Sequence, residues 1–558
     1  GSDAACRVGA LQEGYSGSVS RLFNHLLVYL ILGVLVLAPL GAIIYEALQP
    51  SAGQVHGIAL LQLGVDQQFL KSLSGTLGMA GLAVLFSLPM GLGLALLLYF
   101  VPPRLSPLWE ALILIPFLIP PYLTAEAWSL LTGPVGMIEQ LTAWQALGTT
   151  LEEFLFSLAG MGMVMALHLT PLVYILLRAA LENGNPRLLQ AARVHGSSAL
   201  GAFRLGVLPL LLPALAAAGL LVFLDTSAEF GVPALLAGYA GVQVLSTSIE
   251  AATNVWPVDL PKASAIGLIL CALGVLVWFL YRPLVRNNEG RIQRRAPARR
   301  VWWSVLPISI FALIGMVLPL AAVLAVSLEK ALSVGLQAGN FTWHHYHHVL
   351  SHSSSGLSAL ETSLRLSALV AVLGMASALL AANLVRKGGR IAALVDLLAT
   401  LPMAIPGVVL AVGMILFWNA PWNQLPVFGH PIILAVAYAT GTFPFAIRYA
   451  RTGLAQIPPR LEQAGRVHGG SPLHSVLRIQ IPLLWPMLVG GATVVFALSM
   501  RELVASLMLQ PAGVQVISTY IYGNFRQGTI GNGMALSVIG IFSSALILGL
   551  ARGALLRR

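Results

Sequence analysis

The heptapeptide Gln190-Ala191-Ala192-Arg193-Val194-His195-Gly196 returns later in the chain as Gln463-Ala464-Gly465-Arg466-Val467-His468-Gly469, with one residue changed. Both copies stand in polar breaks between long apolar stretches, so we expect both to lie outside the bilayer. A loop that occurs twice at equivalent places outside a membrane is a candidate surface for docking partner proteins. These two copies decide how the rest of the sequence is interpreted.

The distance between the copies, 463 − 190 = 273, is kept well beyond the heptapeptide. The residues related by this shift include the pairs Pro171 and Pro444, Arg178 and Arg451, Pro186 and Pro459, Pro209 and Pro482, and Glu229 and Glu502. Further upstream, Ile119-Pro120 corresponds to Ile405-Pro406 at a shift of 286, so the first copy carries 286 − 273 = 13 extra residues, which we place within 128–154. The chain is therefore an internal duplication of two halves, half one and half two.

Composition places the chain in a membrane. Hydrophobic residues make up 57% of the 558 residues and charged residues only 9%, whereas a soluble globular chain has roughly 25% charged residues. Apolar runs of the ~20 residues that cross a bilayer recur along the whole length, about six in each half. The sequence predicts an all-α polytopic membrane protein with about 12 transmembrane helices.

The net charge of +11 is concentrated in the breaks between apolar runs. The linker between the halves contains one acidic residue, Glu289, against these basic residues: Arg286, Arg291, Arg294, Arg295, Arg299 and Arg300. Basic residues in short loops mark the cytoplasmic side of a membrane protein. The excess of basic residues therefore indicates membrane topology and gives no reason to expect a nucleic-acid partner.

A cytoplasmic linker and two cytoplasmic repeat loops give each half an even number of spans. The halves then run in the same direction, as parallel repeats rather than an inverted pair. The predicted organisation is a cytoplasmic N-terminal segment 1–23, a first repeat 24–283 with loop 181–204, a basic linker 284–301, a second repeat 302–552 with loop 453–476, and a cytoplasmic tail 553–558.

Each repeat loop is predicted to be a short helix outside the bilayer. A proline near its start, Pro186 or Pro459, and a glycine at its end, Gly196 or Gly469, are typical helix boundaries. Small residues in the helix let a partner approach closely, and an arginine supplies charge at the rim. The predicted docking residues are Gln190, Ala191, Ala192, Arg193 and Gly196 in half one, and Gln463, Ala464, Gly465, Arg466 and Gly469 in half two.

These loops resemble the Glu-Ala-Ala…Gly signature in permease subunits of binding-protein-dependent ABC importers. Both copies have Gln in place of the usual leading Glu, and the second has Gly465 in place of the second Ala. The resemblance covers nearly the whole chain and is closest to fused two-half permeases of the ferric-iron type, through residues 225–236 and 501–511. Related permeases handle thiamine or 2-aminoethylphosphonate.

The resemblance implies the type I ABC importer permease fold in a bacterial cytoplasmic (inner) membrane, with both termini cytoplasmic. It also implies that the loops are coupling helices, which dock on two copies of a cytosolic ATPase, and that a periplasmic or extracellular solute-binding protein delivers the substrate, ferric iron. The sequence contains no Gly-x-x-x-x-Gly-Lys-Ser/Thr phosphate loop. We therefore expect no enzymatic site and no cofactor in this chain, with ATP and Mg bound by the partner.

Four ionisable residues fall in or near the outer part of the fifth span of each half: Asp225, Glu229, Arg501 and Glu502. Ionisable groups at membrane depth are costly and usually face a cavity or a partner. They are candidates for the translocation path or its gate, and Glu229 and Glu502 could offer oxygen ligands to a hard cation. A structural pairing, such as Glu502 with Arg501, is the alternative. The sequence singles out no metal site beyond these two carboxylates.

A histidine-rich segment, His344-His345-Tyr346-His347-His348, precedes the eighth span. Histidines three or four residues apart on a helix can bind a metal. Imidazole prefers zinc, copper or nickel, however, and half one has no matching cluster. An interfacial helix with Trp343 and Tyr346 at the level of the headgroups explains the segment more simply.

One function from another class fits six plus six parallel spans, namely a secondary transporter driven by an ion gradient. Such a carrier would use membrane carboxylates such as Glu229 and Glu502 for coupling. It has no need, however, for two equivalent cytosolic docking helices, so the doubled loop favours the ATP-driven importer.

Overall fold

A computed structural model describes residues 26–51, 58–98, 101, 106–134, 136–183, 196, 198, 201, 203–286, 302–352 and 354–556. Regular structure in these ranges is helical, apart from an isolated antiparallel bridge between Glu329 and Phe341. The prediction of an all-α protein is confirmed.

Half one begins with the apolar helix α1. Its helices, in chain order, are α1 (Leu26–Ala47), α2 (Ala59–Gln62), α3 (Gln67–Leu98), α4 (Ser106–Leu118), α5 (Pro121–Thr132), α6 (Met137–Thr142), α7 (Gln145–Leu155), α8 (Leu158–Asn183), α9 (Phe203–Ala228), α10 (Gly231–Ala240), α11 (Leu245–Asn254) and α12 (Leu260–Arg286).

Half two repeats this order. Its helices are α13 (Val305–Leu328), α14 (His344–Leu350), α15 (Ser355–Val385), α16 (Gly389–Thr400), α17 (Gly407–Trp418), α18 (Ile432–Ala455), α19 (Pro459–Val467), α20 (Leu473–Met500), α21 (Val504–Leu509), α22 (Ile517–Gln527) and α23 (Ile530–Leu556).

The described residues include ten helices that are long and apolar enough to cross a membrane, or up to 13 spans if each of three bent helix pairs counts as one. The predicted number of about twelve lies within this range. Two of the bent pairs, α4 with α5 and α16 with α17, break at the equivalent prolines Pro120 and Pro406. Proline removes a backbone donor and stops the preceding helix, so the duplicated sequence produces a duplicated break.

The chain forms two compact packing units, and the first helix of each half lies in the unit of the other half. One compact unit, the half-one unit, contains residues 46–347 and 525–535, and the other, the half-two unit, contains residues 1–45, 348–524 and 536–558. Within the half-two unit, a Cβ at Gly413 of α17 would lie 2.7 Å from the carbonyl oxygen of Pro39 in α1. Within the half-one unit, Gly315 of α13 faces the ring of Pro116 in α4. The sequence repeats therefore do not coincide with the packing units.

The extra residues of half one form additional helices. Between α5 and the long helix α8, half one contains the short helices α6 and α7. In half two, residues 419–431 join α17 to α18 without an intervening helix. The surplus therefore lies where the change of register from 286 to 273 placed it.

Asp66 starts the long helix α3 and is the basis of a pH-dependent prediction. Its Oδ1 accepts hydrogen bonds from the N–H groups of Gln68 and Phe69, and its Oδ2 lies 2.7 Å from Nζ of Lys262. Burial raises the pKa of Asp66, but the bonds from Lys262 and the two N–H groups outweigh it, so the pKa lies below its ordinary value of 3.8. The ionised carboxylate therefore stabilises the fold at neutral pH.

We expect Asp66→Asn to lower the melting temperature at pH 7, because the amide keeps the cap but loses the charge. A lowered folded-state pKa gives stability that is present above pH 3.8 and is lost as the pH falls through the folded value. The difference between wild type and Asp66→Asn should therefore shrink from pH 7 to pH 3. Thermal unfolding in detergent across this range measures it. A difference that stays constant would contradict the Lys262 contact, and Asp66→Ala should cost more than Asp66→Asn at every pH.

Candidate coupling site and translocation path

The repeat loop of half two is a short polar helix, α19, which begins at Pro459 and ends at Val467. Gln463 and Ala464 are exposed on it. Beyond its end Gly469 has φ +76°, and the N–H of Gly470 donates to the carbonyl of Gly465 over 2.9 Å. A glycine in the left-handed region followed by this bond is the Schellman ending of a helix. The predicted short helix with a glycine stop is confirmed for this copy.

The changed residue of the repeat, Gly465, packs against its own chain. A Cβ at this position would lie 2.8 Å from Cδ1 of Ile479. The half-two copy therefore has glycine where half one has alanine because the following segment passes close to the helix. Its small size serves this internal contact.

In half one, Gly196 also lies in the left-handed region, with φ +80°. The predicted docking residues Gln190, Ala191, Ala192 and Arg193 lie outside the described residues. Gly196 and Gly469, the last residues of the two heptapeptide copies, therefore share the left-handed backbone conformation.

We expect Gly469→Val to weaken the attachment of the ATPase, because a β-branched residue is strained at positive φ by about 1–2 kcal/mol. Among the described residues nothing lies within 4 Å of a Cβ built at Gly469, so the expected penalty comes from backbone strain. Co-purification of the ATPase with the variant measures the effect, and Gly196→Val is the matched variant in half one. Wild-type co-purification by both variants would contradict a docking role for these turns.

A polar network around the buried side chains of Glu462 and Gln480 holds α19 to the membrane helices of its own unit. We call Arg386, Glu462, Gln480 and Asn383 the coupling clamp. The side chain of Glu462 is only 6% exposed, and its two oxygens accept from Nη2 of Arg386 over 2.6 and 2.5 Å. Gln480 donates to Glu462 over 3.3 Å and exchanges two bonds of 2.9 Å with Asn383. Because Asn383 lies in α15 and Gln480 in α20, the clamp ties α19 to two membrane helices.

Sequence reasoning missed the coupling clamp. Arg386 and Glu462 are 76 residues apart, and neither belongs to the repeated heptapeptide. The 273 shift relates Glu462 and Gln480 to Leu189 and Val207 of half one, which carry no polar group. Glu462 could have been found by searching for positions at which one half has a charged residue and the other half an apolar one.

A second ion pair is present in both halves. Arg178 of α8 contacts Glu110 of α4, and Arg451 of α18 contacts Asp396 of α16. The arginines are related by the 273 shift and the acids by the 286 shift. In each half, this ion pair joins the helix before the proline break, α4 or α16, to the long helix that leads into the repeat loop, α8 or α18. The pair could have been found from the sequence by searching for charged residues whose equivalents under the 273 or the 286 shift carry the same charge.

The candidate path glutamates form equivalent turns. Glu229 directly follows α9, and Glu502 comes two residues after the end of α20. Their N–H groups donate to the carbonyls of Thr226 and Ser499, which are themselves related by the 273 shift. Glu229 Oε1 accepts from the N–H of Gly231 over 2.8 Å. In each half the carboxylate therefore caps the short helix that follows it.

The backbone of both turns is held by serine hydroxyls. Ser246 donates to the carbonyl of Glu229 over 2.7 Å, whereas Ser506 and Ser518 both donate to the carbonyl of Glu502 over 2.6 Å. Glu502 Oε1 accepts from the N–H of Ala505 over 3.1 Å. The two glutamates thus have structural partners in their own units, which favours a role in shaping the turn.

The other two candidate path residues flank these turns. Asp225 lies exposed in the last turn of α9, and Arg501 is half-buried directly after α20. All four candidates therefore stand at or just beyond the end of a fifth span, as the sequence predicted. The described residues contain no group of three or more His, Cys, Asp or Glu that could hold a metal ion.

The histidine-rich segment forms helix α14, and one of its residues has a structural role. Both ring nitrogens of His345 are within 2.9 Å of a partner, Nδ1 with Oδ1 of Asn532 and Nε2 with the carbonyl of Glu329. Tyr346 shares a hydrogen bond with Ser327. These contacts fasten α14 to the end of α13 within the half-one unit and occupy the nitrogens of His345 that a metal would need.

Comparison with known proteins identifies the duplication. Residues 87–289 and 371–558 each match the family described as binding-protein-dependent transport system inner membrane component. A ferric transport system permease protein, FbpB, of Actinobacillus pleuropneumoniae is 24% identical over 490 residues, which cover 86% of this chain and 70% of that protein.

Other relatives match a smaller share of the chain. A putative 2-aminoethylphosphonate transport system permease protein, PhnU, of Salmonella paratyphi A is 30% identical over 273 residues, which cover 48% of this chain and 94% of that protein. A probable ABC transporter permease protein, y4fN, of Sinorhizobium fredii is 28% identical over 341 residues, 58% of this chain and 59% of that protein.

Among solved structures, a chain of a bacterial ABC transporter involved in the import of the acidic polysaccharide alginate aligns with a TM-score of 0.36 and 21% identity, over 45% of this chain and 88% of that chain. Because both family matches together span more than half of the sequence, the chain belongs to the binding-protein-dependent transport system inner membrane components, as a multi-pass permease that joins two copies of the family domain in one polypeptide.

Proposed function

We propose that this chain forms the translocation path of an ATP-driven importer and docks two copies of a cytosolic ATPase, one on each repeat loop. The loops 181–204 and 453–476, the linker and both termini face the cytoplasm in this proposal. A solute-binding protein delivers the substrate at the opposite face. ATP and Mg are bound by the partner ATPase.

The observation that carries the ATPase-docking role is the geometry of α19. This helix is polar, presents Gln463 and Ala464 to solvent, and is held to α15 and α20 by the coupling clamp. A movement of a docked partner would therefore be passed to two membrane helices, which is the requirement for coupling hydrolysis to transport.

Ferric iron is the substrate we propose. The relatives named as ferric transport permeases match across both halves, over 86% and 83% of this chain, whereas the 2-aminoethylphosphonate permeases match over about half of it. The substrate candidates that remain as alternatives are 2-aminoethylphosphonate and thiamine.

We propose that Asp225, Glu229, Arg501 and Glu502 belong to the translocation path or its gate. The equivalent turns after the fifth spans place a carboxylate at the same point of each half. Such groups, held by backbone donors at the end of a span, are suited to meet a cationic solute as it leaves the binding protein.

The experiment is reconstitution of the chain with an ATPase and a solute-binding protein from the same genome, in nanodiscs for binding and hydrolysis and in proteoliposomes for uptake. We expect the ATPase to co-purify in a 2:1 ratio, hydrolysis to be stimulated by the loaded binding protein, and radioactive iron to enter proteoliposomes only with ATP. An ATPase variant that lacks its catalytic carboxylate is the control. Failure of any ATPase to bind would contradict the importer role.

The binding protein decides between the substrates. Stimulation by its 2-aminoethylphosphonate or thiamine form, without stimulation by its iron form, would replace ferric iron in this proposal. Uptake that follows a proton or sodium gradient in the absence of ATP would instead support the secondary transporter.

A further inference from the structure

A cavity of about 510 Å³ opens beside the ends of α15 and α18 in the half-two unit. Three of its lining residues carry guanidinium groups, namely Arg386, Arg448 and Arg451. Thr452 adds a hydroxyl-bearing side chain to the same wall. A concave site with several guanidinium groups and a hydroxyl is suited to an anion with oxygen ligands.

Two of these arginines have carboxylate partners but retain donors. Arg386 contacts Glu462 through Nη2, and Arg451 contacts Asp396 through Nη1. A guanidinium has five N–H donors in a planar fork, so neither contact uses all of them. Neither carboxylate residue lines the cavity.

Arg448 supplies the additional charge. It is exposed, and no ion pair of it occurs within the described part of the chain. Among the described residues, three arginines against two carboxylates leave one positive charge unbalanced. The cavity wall is therefore electropositive at Arg448.

The cavity is a property of half two. The 273 shift relates Arg448 and Thr452 to Ile175 and Ala179, and the 286 shift relates Arg386 to Phe100. Arg451 alone has an equivalent, Arg178, which belongs to the ion pair that both halves contain. The fold that the halves share therefore does not require a cation at position 448.

The cavity lies near the end of α18 that leads into α19. Arg448 lies seven residues before the end of α18 at Ala455, a distance of about 10 Å along a helix. The same end of α18 leads into α19, which faces the cytoplasm in the proposed topology. Basic pockets between membrane helices on the cytoplasmic side bind the headgroups of anionic lipids.

We propose that this cavity binds a phosphate-bearing anion, held mainly by Arg448 and completed by the free donors of Arg386 and Arg451. The guanidinium fork matches two phosphate oxygens at once, which a lysine ammonium does not. The ligand is the phosphate of an anionic phospholipid or a free phosphate, and the experiment distinguishes these sources.

The full-length chain is purified in detergent, freed of lipid, and examined by native mass spectrometry after addition of phosphatidylglycerol or phosphatidylcholine. We expect wild type to retain phosphatidylglycerol at least five times more than Arg448→Ile, which introduces the residue of half one. Arg448→Lys should fall between them. Arg204→Ile removes an exposed arginine of the half-one unit and should retain lipid as wild type does.

Inorganic phosphate is tested in parallel through the melting temperature, at constant ionic strength. A rise in wild type that is lost in Arg448→Ile identifies free phosphate as a ligand, whereas retention of phosphatidylglycerol alone identifies the lipid headgroup. Equal behaviour of wild type and Arg448→Ile with both probes would overturn the proposal. If Arg448→Ile melts early without either probe, Arg448→Gln takes its place. None of these measurements needs the ATPase, so they succeed or fail separately from the proposed transport function.

Discussion

Replacing Arg386 with methionine is expected to reduce ATP-driven uptake at least tenfold while the chain still inserts into the membrane. The change leaves the carboxylate of Glu462 buried without its cation, because that side chain is only 6% exposed. Removing one partner of a buried ion pair costs about 3–5 kcal/mol. The exposure of Arg386, 33%, places this site near the lower end of that range.

The chain can reduce this penalty if α19 leaves its place and exposes the carboxylate of Glu462 to water. In that case α19, the proposed docking helix, is no longer held firmly to α15 and α20, and coupling should weaken. Stimulated ATP hydrolysis and uptake should therefore fall together, whereas basal hydrolysis by the ATPase should change little.

A second variant separates stability from coupling. The double change Arg386→Met with Glu462→Leu removes both charges and gives position 462 the residue of half one, Leu189. Replacing a buried ion pair with apolar residues is often neutral for stability. We therefore expect the double variant to recover the melting temperature of wild type. Its uptake then reports the contribution of the clamp itself.

The control is Arg390→Met, which removes a neighbouring exposed arginine outside the clamp. It should resemble wild type in melting temperature and uptake. Wild-type uptake and stability in Arg386→Met would show that the clamp does not transmit movement. Recovery of full uptake by the double variant would assign the clamp a role in stability alone.

Replacing Glu502 with alanine is expected to destabilise the end of the fifth span and to lower uptake strongly. The carboxylate accepts from the N–H of Ala505 and caps α21, and the loss of a cap costs about 0.5–2 kcal/mol. The N–H group that it leaves is part-buried, which adds to the cost. The equivalent Glu229→Ala removes the acceptor for Gly231 and should act in the same direction.

The change of each glutamate to glutamine tests a different property. The amide oxygen can still accept from the backbone N–H group, so the turn and the melting temperature should be retained. The charge is lost, so any direct contact with a cationic solute is weakened. We therefore expect the melting temperature to fall in the two Ala variants and to stay at the wild-type value in the two Gln variants.

Uptake by Glu229→Gln and Glu502→Gln then decides between the two roles. Uptake that falls while stability and ATPase docking are retained supports contact with the solute. Unchanged uptake in both Gln variants would end the idea that these carboxylates touch the solute and would leave them as caps. Full stability in both Ala variants would contradict the capping role.

The sequence predicted those features that repeat along the chain. The shift of 273 revealed the duplication and the equivalent positions of Glu229 and Glu502, and the change to 286 located the extra helices α6 and α7. Pro459 and Gly469 marked the ends of α19, because proline and glycine act through their own backbone. Such signals are local, or are copied from one half to the other, and need no knowledge of contacts.

Other features depend on residues that are distant in sequence. The exchange of α1 and α13 between packing units has no local signal, because an apolar helix contains no information about which half it packs against. The partners of Glu229 and Glu502 likewise follow from turns that bring Ser246 and Ser518 to their carbonyls.

The sequence by itself therefore determined the class of the protein, its two halves, its membrane spans and the place of its repeat loops. Only the tertiary structure decided which charges meet, above all Arg386 with Glu462 and Arg448 with its cavity. The physical reason is that periodicity and helix ends are set by neighbours along the chain, whereas the cost of a buried charge is set by whatever group folding brings beside it.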